Sequence, residues 1–151
     1  MDWRVPLADL DYGIEEENAV LGVLRSKWLT MGAVTQRFEQ EFAQATGARY
    51  VFTVSNATEA LHLACLVLGI GAGDEVITPS LSFVATSNAV LYTGAEVRFA
   101  DVYGPEDRTI DPADIERKIT PQTKAIIAMH YGGYSCRIAE ILAVEERHGL
   151  S

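Results

Sequence analysis

Four short β-prone runs, each divided from the next by a helical pattern, constrain this chain more than any other feature. They are Tyr50 to Val54, Glu75 to Thr78, Glu96 to Ala100 and Lys124 to Met129. A tight hairpin joins antiparallel neighbours only, so strands separated by helices imply crossover connections and a parallel sheet. The expected fold class is α/β, a mainly parallel sheet flanked by helices. Ala125-Ile126-Ile127-Ala128-Met129 is apolar at every position, which fits a central strand covered on both faces.

The helical segments carry their own start and stop signals. Ile14 to Ser26 has Ile14, Leu21 and Leu24 at helical spacing, with Glu15, Glu16 and Glu17 in the first turn where the dipole favours acids. Val34, Phe38, Phe42 and Ala45 repeat the pattern, and Gly47 is suited to follow the helix in a left-handed turn. Further helices are expected from Thr58 to Leu68 and from Phe83 to Tyr92, the latter with Ser82 as N-cap. Asp111-Pro112 opens a short helix with a cap followed by proline at the first helical position. Ile138 to His148 forms a last helix, ended by Gly149. A helix placed there leads into another strand, so the sequence is expected to be the front section of a longer protein.

Composition bounds the function. With 48% hydrophobic and 22% charged residues over 151 positions, the chain is globular and long enough to bury a core. A net charge of -9 argues against nucleic acid as a partner, since phosphate backbones attract basic faces. No apolar stretch reaches the roughly 20 residues of a membrane span. Met1-Asp2-Trp3-Arg4 lacks the basic and apolar regions of a signal peptide. Cys65 and Cys136 lie far apart, with no spacing that suggests a disulfide framework or a zinc site. A reducing cytoplasm is the expected compartment.

A few residues could carry chemistry. Ser55-Asn56-Ala57-Thr58 lies between a strand and a helix, where free backbone N–H groups and the dipole bind phosphate. Ala57 lets an anion approach and Thr58 adds a hydroxyl, although on local sequence alone Asn56 reads first as an ordinary cap. Gly69-Ile70-Gly71-Ala72-Gly73 follows a helix and precedes a strand, the reverse of a dinucleotide-binding order, and reads as a helix end and turn. Ser82-Phe83 follows a strand end, where ligands collect in parallel sheets; Phe83 could stack on a flat ring or pack in the core. Asp101 also follows a strand, with a turn role as its ordinary explanation. His130 precedes Gly132 and Gly133, which leave room for a ligand or a backbone, and its ring could line a site or bond a loop carbonyl. His62 and His148, inside and at the end of helices, do not look catalytic.

In order along the chain stand Trp28-Leu29-Thr30-Met31-Gly32, Asn56-Ala57-Thr58-Glu59-Ala60-Leu61-His62-Leu63 and Gly73-Asp74-Glu75-Val76-Ile77-Thr78-Pro79-Ser80. Ser82-Phe83-Val84-Ala85-Thr86, Gly94-Ala95, Asp101, Thr123-Lys124-Ala125-Ile126 and His130-Tyr131-Gly132-Gly133 follow. This ordered set, from about Val5 to Leu150, resembles the DegT/StrS family of sugar aminotransferases, which use pyridoxal 5'-phosphate (PLP). The resemblance implies that residues 1–151 form the N-terminal part of the large domain of an aspartate-aminotransferase-like fold. It implies that Ala57 and Thr58 hold the PLP phosphate and that Phe83 stacks on the pyridine ring. Ala57 departs from the glycine often found there, but a backbone contact needs only a small residue. Thr30 and Gly32 match a loop on the substrate side, and His130 a position lining the pocket.

The implied reaction moves an amino group, with glutamate the expected donor, onto a keto sugar attached to a nucleotide. The family's homodimer builds each active site from two subunits. Two other readings stay open: a nucleotide-sugar dehydratase on the same scaffold, with histidine replacing the lysine, and a non-catalytic fragment or interaction module. The family's aspartate for the pyridine nitrogen and its Schiff-base lysine have no match among these residues. Lys27, Lys118 and Lys124 are the only lysines, and none fits the serine-to-lysine motif. No catalytic residue is therefore assigned, and residues 1–151 alone are expected to be inactive. Treatment of this polypeptide with PLP and borohydride, followed by peptide mapping, should show no site-specific label. Stoichiometric labelling of Lys27, Lys118 or Lys124 at low PLP would overturn the assignment.

Overall fold

The computed structural model describes residues 10–151; Met1 to Arg4 and the start of the family-like stretch at Val5 lie outside the described residues. The chain divides into two compact units, Met1–Thr53 and Val54–Ser151.

The first unit contains α1 (Ile14–Ser26) and α2 (Ala33–Thr46), with the bounds their patterns predict. At the start of α1 the Gly13 amide donates to Glu16 Oε2 at 2.7 Å. That bond holds the Glu16 carboxyl below the usual range. The helix ends on Lys27 in a left-handed conformation (φ 58), with its N–H donating to the Leu24 carbonyl. Gly47 ends α2 at φ 74, a conformation glycine adopts without a Cβ penalty. Neither helix has a buried residue, and Val20, Leu24, Phe38 and Phe42 stay largely exposed.

Tyr50 to Val54 does not form the expected strand. A β-run becomes a strand only when a neighbour takes its ladder bonds. Here the Thr53 amide and hydroxyl both donate to Glu39 Oε1 at 2.8 Å instead.

The second unit is built on a parallel sheet of β1 (Glu75–Pro79), β2 (Glu96–Ala100) and β3 (Thr123–Ile126), in the order β2-β1-β3. Glu75 to Pro79 pairs in register with Glu96 to Ala100, and Val76 and Ile77 pair with Ala125 and Ile126. The middle strand is β1, buried at all five positions, rather than the run Lys124 to Met129. That run leaves the strand early: β3 stops at Ile126, and the Ile127 amide still bonds the Ile77 carbonyl. On its other side β3 exchanges bonds with Ser151, whose carbonyl accepts from Ile126 and whose amide donates to Lys124.

Helices cover both faces, as a parallel sheet requires. Successive strand residues point to opposite faces. Val76 packs with Cys65, Ile70, Val90, Ala95 and Ala125, beneath α3 (Ala57–Val67) and α4 (Ala85–Leu91). Ile77 packs with Ala100, Ile110, Ile115, Cys136, Ile141 and Val144, beneath α5 (Pro112–Lys118) and α6 (Ile138–His148). Asp111 caps α5 by accepting from the Ala113 amide, with Pro112 at the first position, and Gly149 ends α6 at φ 63. Ser82 is not the cap of α4. The helix begins at Ala85, the Thr86 amide bonds the Phe83 carbonyl, and the Ser82 hydroxyl donates to that same carbonyl. The chain therefore needs Ser82 to Val84 as a link before it can turn helical.

At the entry to β1, buried Glu75 accepts from Arg98 at 2.7 Å and from the Thr120 hydroxyl at 2.6 Å. These two bonds, Arg98 first, hold its carboxyl below the usual range. A depressed carboxylate contributes stability above its unfolded pKa of about 4.3 and loses it as pH falls through the folded value. Glu75→Gln should therefore flatten the loss of unfolding free energy between about pH 5 and pH 3, read by urea titration at each pH. Ile77→Ala should cost about 2–5 kcal/mol at neutral pH in the same assay, because the site is closed on every side.

Candidate functional site at the carboxyl end of the sheet

Helix α3 runs back along the sheet: its last turn and the residues after it, Cys65 and Ile70, pack with Val76 and Ala95 near the strand starts. Its first turn therefore lies toward the strand carboxyl ends, the edge at which parallel sheets bind ligands. Asn56 is the N-cap in extended conformation, and its Oδ1 accepts from the Glu59 amide at 2.9 Å. Its carbonyl accepts the first intrahelical bond, from Ala60. The amides of Ala57 and Thr58 have no acceptor among the described residues. The cap takes the third helical amide and leaves the first two without an acceptor among the described residues. Asn56 is thus the ordinary cap that the sequence offers, and its bond does not consume those two donors.

Thr58 also lines an open cavity of about 380 Å³, with Asn56, Glu59, His62 and Tyr92. The His62 and Tyr92 rings meet edge to face, centroids 5.6 Å apart. His62 stands four residues after Thr58, a spacing that places both on one helical face.

Phe83 is 75% exposed, so it is not a core residue of this unit. It lies in the link between β1 and α4, at the same end of the sheet as the start of α3. Asp101 performs the turn role expected of it. Its Oδ1 accepts from the Val102 amide at 2.8 Å and from the Ser80 hydroxyl at 3.4 Å. Its amide donates to Asp114 Oδ2 at 2.7 Å, the main reason the Asp114 carboxyl sits below the usual range. These bonds tie the segments that follow β1 and β2.

His130 does not bond a loop carbonyl. Its Nδ1 accepts from the Cys136 amide at 3.1 Å, closing a turn through Tyr131–Gly133. Gly132 (φ 59) and Gly133 (φ 85) supply the left-handed backbone that turn needs.

Thr30 and Gly32 belong to the other unit, where they line a hollow with Trp28 and Met31. The Trp28 indole donates to the Met31 carbonyl at 3.0 Å, and a Cβ on Gly32 would stand 2.6 Å from that nitrogen. Gly32 is therefore a steric requirement of this loop.

Gly69 to Gly73 is the helix end and turn that the sequence indicates. Gly69 takes φ 67, and the amides of Gly69 and Ile70 reach back to Leu66 and Cys65. The three lysines sit on other elements of the chain. Lys124 Nζ donates to the Gly69 carbonyl at 2.8 Å and pairs with Asp74, Lys118 ends α5, and Lys27 ends α1 in the first unit. Both cysteines are buried and free, and burial pushes both thiols up. Among the described residues no group of three or more His, Cys, Asp or Glu could hold a metal, and no helix is long and apolar enough to cross a membrane.

Known proteins share this arrangement. The spore coat polysaccharide biosynthesis protein SpsC of Bacillus subtilis (strain 168) is 46% identical over 138 residues, 91% of this chain and 35% of that protein. The crystal structure of S. venezuelae DesV is 35% identical with a TM-score of 0.84, over 90% of this chain and 36% of DesV. The sugar aminotransferase Spr1654 of Streptococcus pneumoniae, described as putative and solved in its PLP-form, is 29% identical with a TM-score of 0.89 over 96% of this chain and 37% of its own. The chain thus spans about a third of the length of these relatives. The model of the DegT/DnrJ/EryC1/StrS aminotransferase family matches residues 11–151. By this match and the shared parallel α/β fold, the chain belongs to the DegT/DnrJ/EryC1/StrS aminotransferase family.

Proposed function

We propose that residues 1–151 are the N-terminal part of the large domain of a PLP-dependent enzyme that transfers an amino group to a nucleotide-linked keto sugar, with glutamate as donor. One observation carries the reading: at the start of α3 the cap is spent on the Glu59 amide, leaving the Ala57 and Thr58 amides free beside the Thr58 hydroxyl. That is the donor set a phosphate needs, at the end of a helix whose dipole favours an anion. PLP fits these residues on two counts, since the exposed Phe83 ring offers a flat apolar face for a pyridine.

In this reading Ala57 and Thr58 hold the phosphate by two amides and one hydroxyl, and Phe83 orients the ring by stacking. Thr30 and Gly32 are assigned to substrate binding, with Gly32 leaving room for the Trp28 indole in its own loop. When bound, the cofactor supplies an electron sink for chemistry at the amino-bearing carbon. None of Lys27, Lys118 and Lys124 is assigned to proton transfer, Lys124 being held by Gly69 and Asp74. The working enzyme is a homodimer, and the acidic balance and free thiols suit the cytoplasm.

Three variants of the complete enzyme separate cofactor binding from helix stability. Thr58→Ala removes a hydroxyl bond to a charged acceptor and should weaken PLP binding about 10- to 150-fold. Phe83→Ala should weaken it too, through lost stacking, with the phosphate contacts left in place. Asn56→Ala should cost about 1 kcal/mol of stability through the lost cap, with a smaller effect on PLP. PLP titration, thermal melting and transamination of nucleoside-diphosphate keto sugars by glutamate read all three. If Thr58→Ala and Phe83→Ala lower only the melting temperature, the cofactor site is elsewhere.

A further inference from the structure

The exits of β1 and β2 are tied together by more bonds than a turn needs. The strands pair in register as far as Pro79 and Ala100, and the Ser80 amide then donates to the Ala100 carbonyl at 2.8 Å. Asp101 follows, with its backbone clamped from the start of α5. Its amide donates to Asp114 Oδ2 at 2.7 Å, and its carbonyl accepts from the Asp111 amide at 2.9 Å. Asp114 is itself buried and paired with Arg117 at 2.9 Å. With its backbone fixed, Asp101 uses its carboxylate sideways. Oδ1 accepts from the Val102 amide, which closes a local turn, and from the Ser80 hydroxyl, 21 residues away in the sequence. The first bond satisfies the turn; the second reaches the neighbouring strand.

Ser80 opens the link that carries Phe83. At its far end the link is held by α4, where the Thr86 amide donates to the Phe83 carbonyl at 3.0 Å and Ala85 and Thr86 are buried. At its near end it is held by Ser80, through both amide and hydroxyl. Between these anchors Leu81, Phe83 and Val84 are exposed. The Phe83 ring, 75% exposed, gains no position from packing, so the backbone of the link decides where it stands. At 3.4 Å the Ser80 bond is long for a hydroxyl donor, and what it contributes is direction rather than stability.

We infer that Asp101 is a positioning residue of the cofactor site: through Ser80 it directs the link out of β1, and so sets where the Phe83 ring meets the pyridine. This rests on the proposed PLP site and deepens it with a residue that acts through Phe83. The role needs an acceptor at Oδ1 and no negative charge, since both bonds come from neutral donors. Asparagine can therefore take the place of Asp101, and alanine cannot.

In the complete enzyme, Asp101→Ala and Ser80→Ala should each weaken PLP binding about two- to tenfold, the range open to one aromatic stacking contact. Asp101→Asn should bind PLP as the wild type does. Ser80→Ala removes only the hydroxyl of an exposed residue and should keep the wild-type melting temperature, so the effect is readable even where Asp101→Ala folds poorly. The deciding measurement is a double-mutant cycle on PLP affinity: in a Phe83→Ala background, Ser80→Ala and Asp101→Ala should cause no further loss. Equal losses with and without Phe83, wild-type affinity in both alanine variants, or failure of asparagine to restore binding would overturn the positioning role and leave the proposed function standing. If Phe83→Ala alone binds PLP like the wild type, the stacking and this inference fall together.

Discussion

The second unit depends on the burial of one strand. Each residue of β1 is sealed from water, and the two-residue period sends Val76 and Ile77 into separate cores. One strand thus supplies both floors, Ile77 to one core and Val76 to the other. Because the connections are crossovers, the helices must lie over these faces, and the three connecting segments leave the sheet at one edge. The position of the α3 start toward the carboxyl end of the sheet is thus a consequence of packing. The ends of the strands are held by polar ties: Glu75 with Arg98 and Thr120 at the entry, Asp101 with Ser80 and Asp114 at the exit.

The same economy governs the start of α3. A helix has four amides without internal partners, and one cap residue satisfies one of them. Asn56 reaches the third position, and the two amides before it have no acceptor among the described residues. A cap at that position stabilises the helix whether or not a ligand is present, so the proposed anion site would carry no folding penalty of its own. Thr58 and His62, one helical turn apart, extend that polar edge to Tyr92. In the first unit the corresponding economy is steric. Gly32 both begins α2 and leaves room for the Trp28 indole against the loop.

Much of this was legible in the residues themselves. Local signals decide helix ends, so α1, α2, α5 and α6 follow the bounds expected from acidic first turns, Asp111-Pro112, Gly47 and Gly149. The Asn56 cap, the turn at Gly69 and the Asp101 turn belong to the same class, because each is an interaction over a few residues. The ordered motifs carried the family itself, since spacing among Asn56-Ala57-Thr58, Ser82-Phe83 and His130-Tyr131-Gly132-Gly133 is a property of the sequence alone.

What failed was pairing and competition at a distance. Tyr50 to Val54 has strand composition, but an acceptor 14 residues away takes the Thr53 amide. The apolar run after Lys124 looked like a middle strand because hydrophobicity reports burial and not rank in the sheet; β1 holds the middle through its two neighbours. Ser82 lost the cap of α4 to a three-residue link whose length is set by the distance from strand to helix. The partner of His130 could not be read either, because the Cys136 amide reaches it only when two glycines turn left-handed and the thiol is buried. The sequence by itself determined most helix bounds, the Asn56 and Asp111 caps and the family. Tertiary structure alone decided strand order, exposure of Phe83 and the bond from the Cys136 amide to His130, because each depends on atoms brought together from separate parts of the chain.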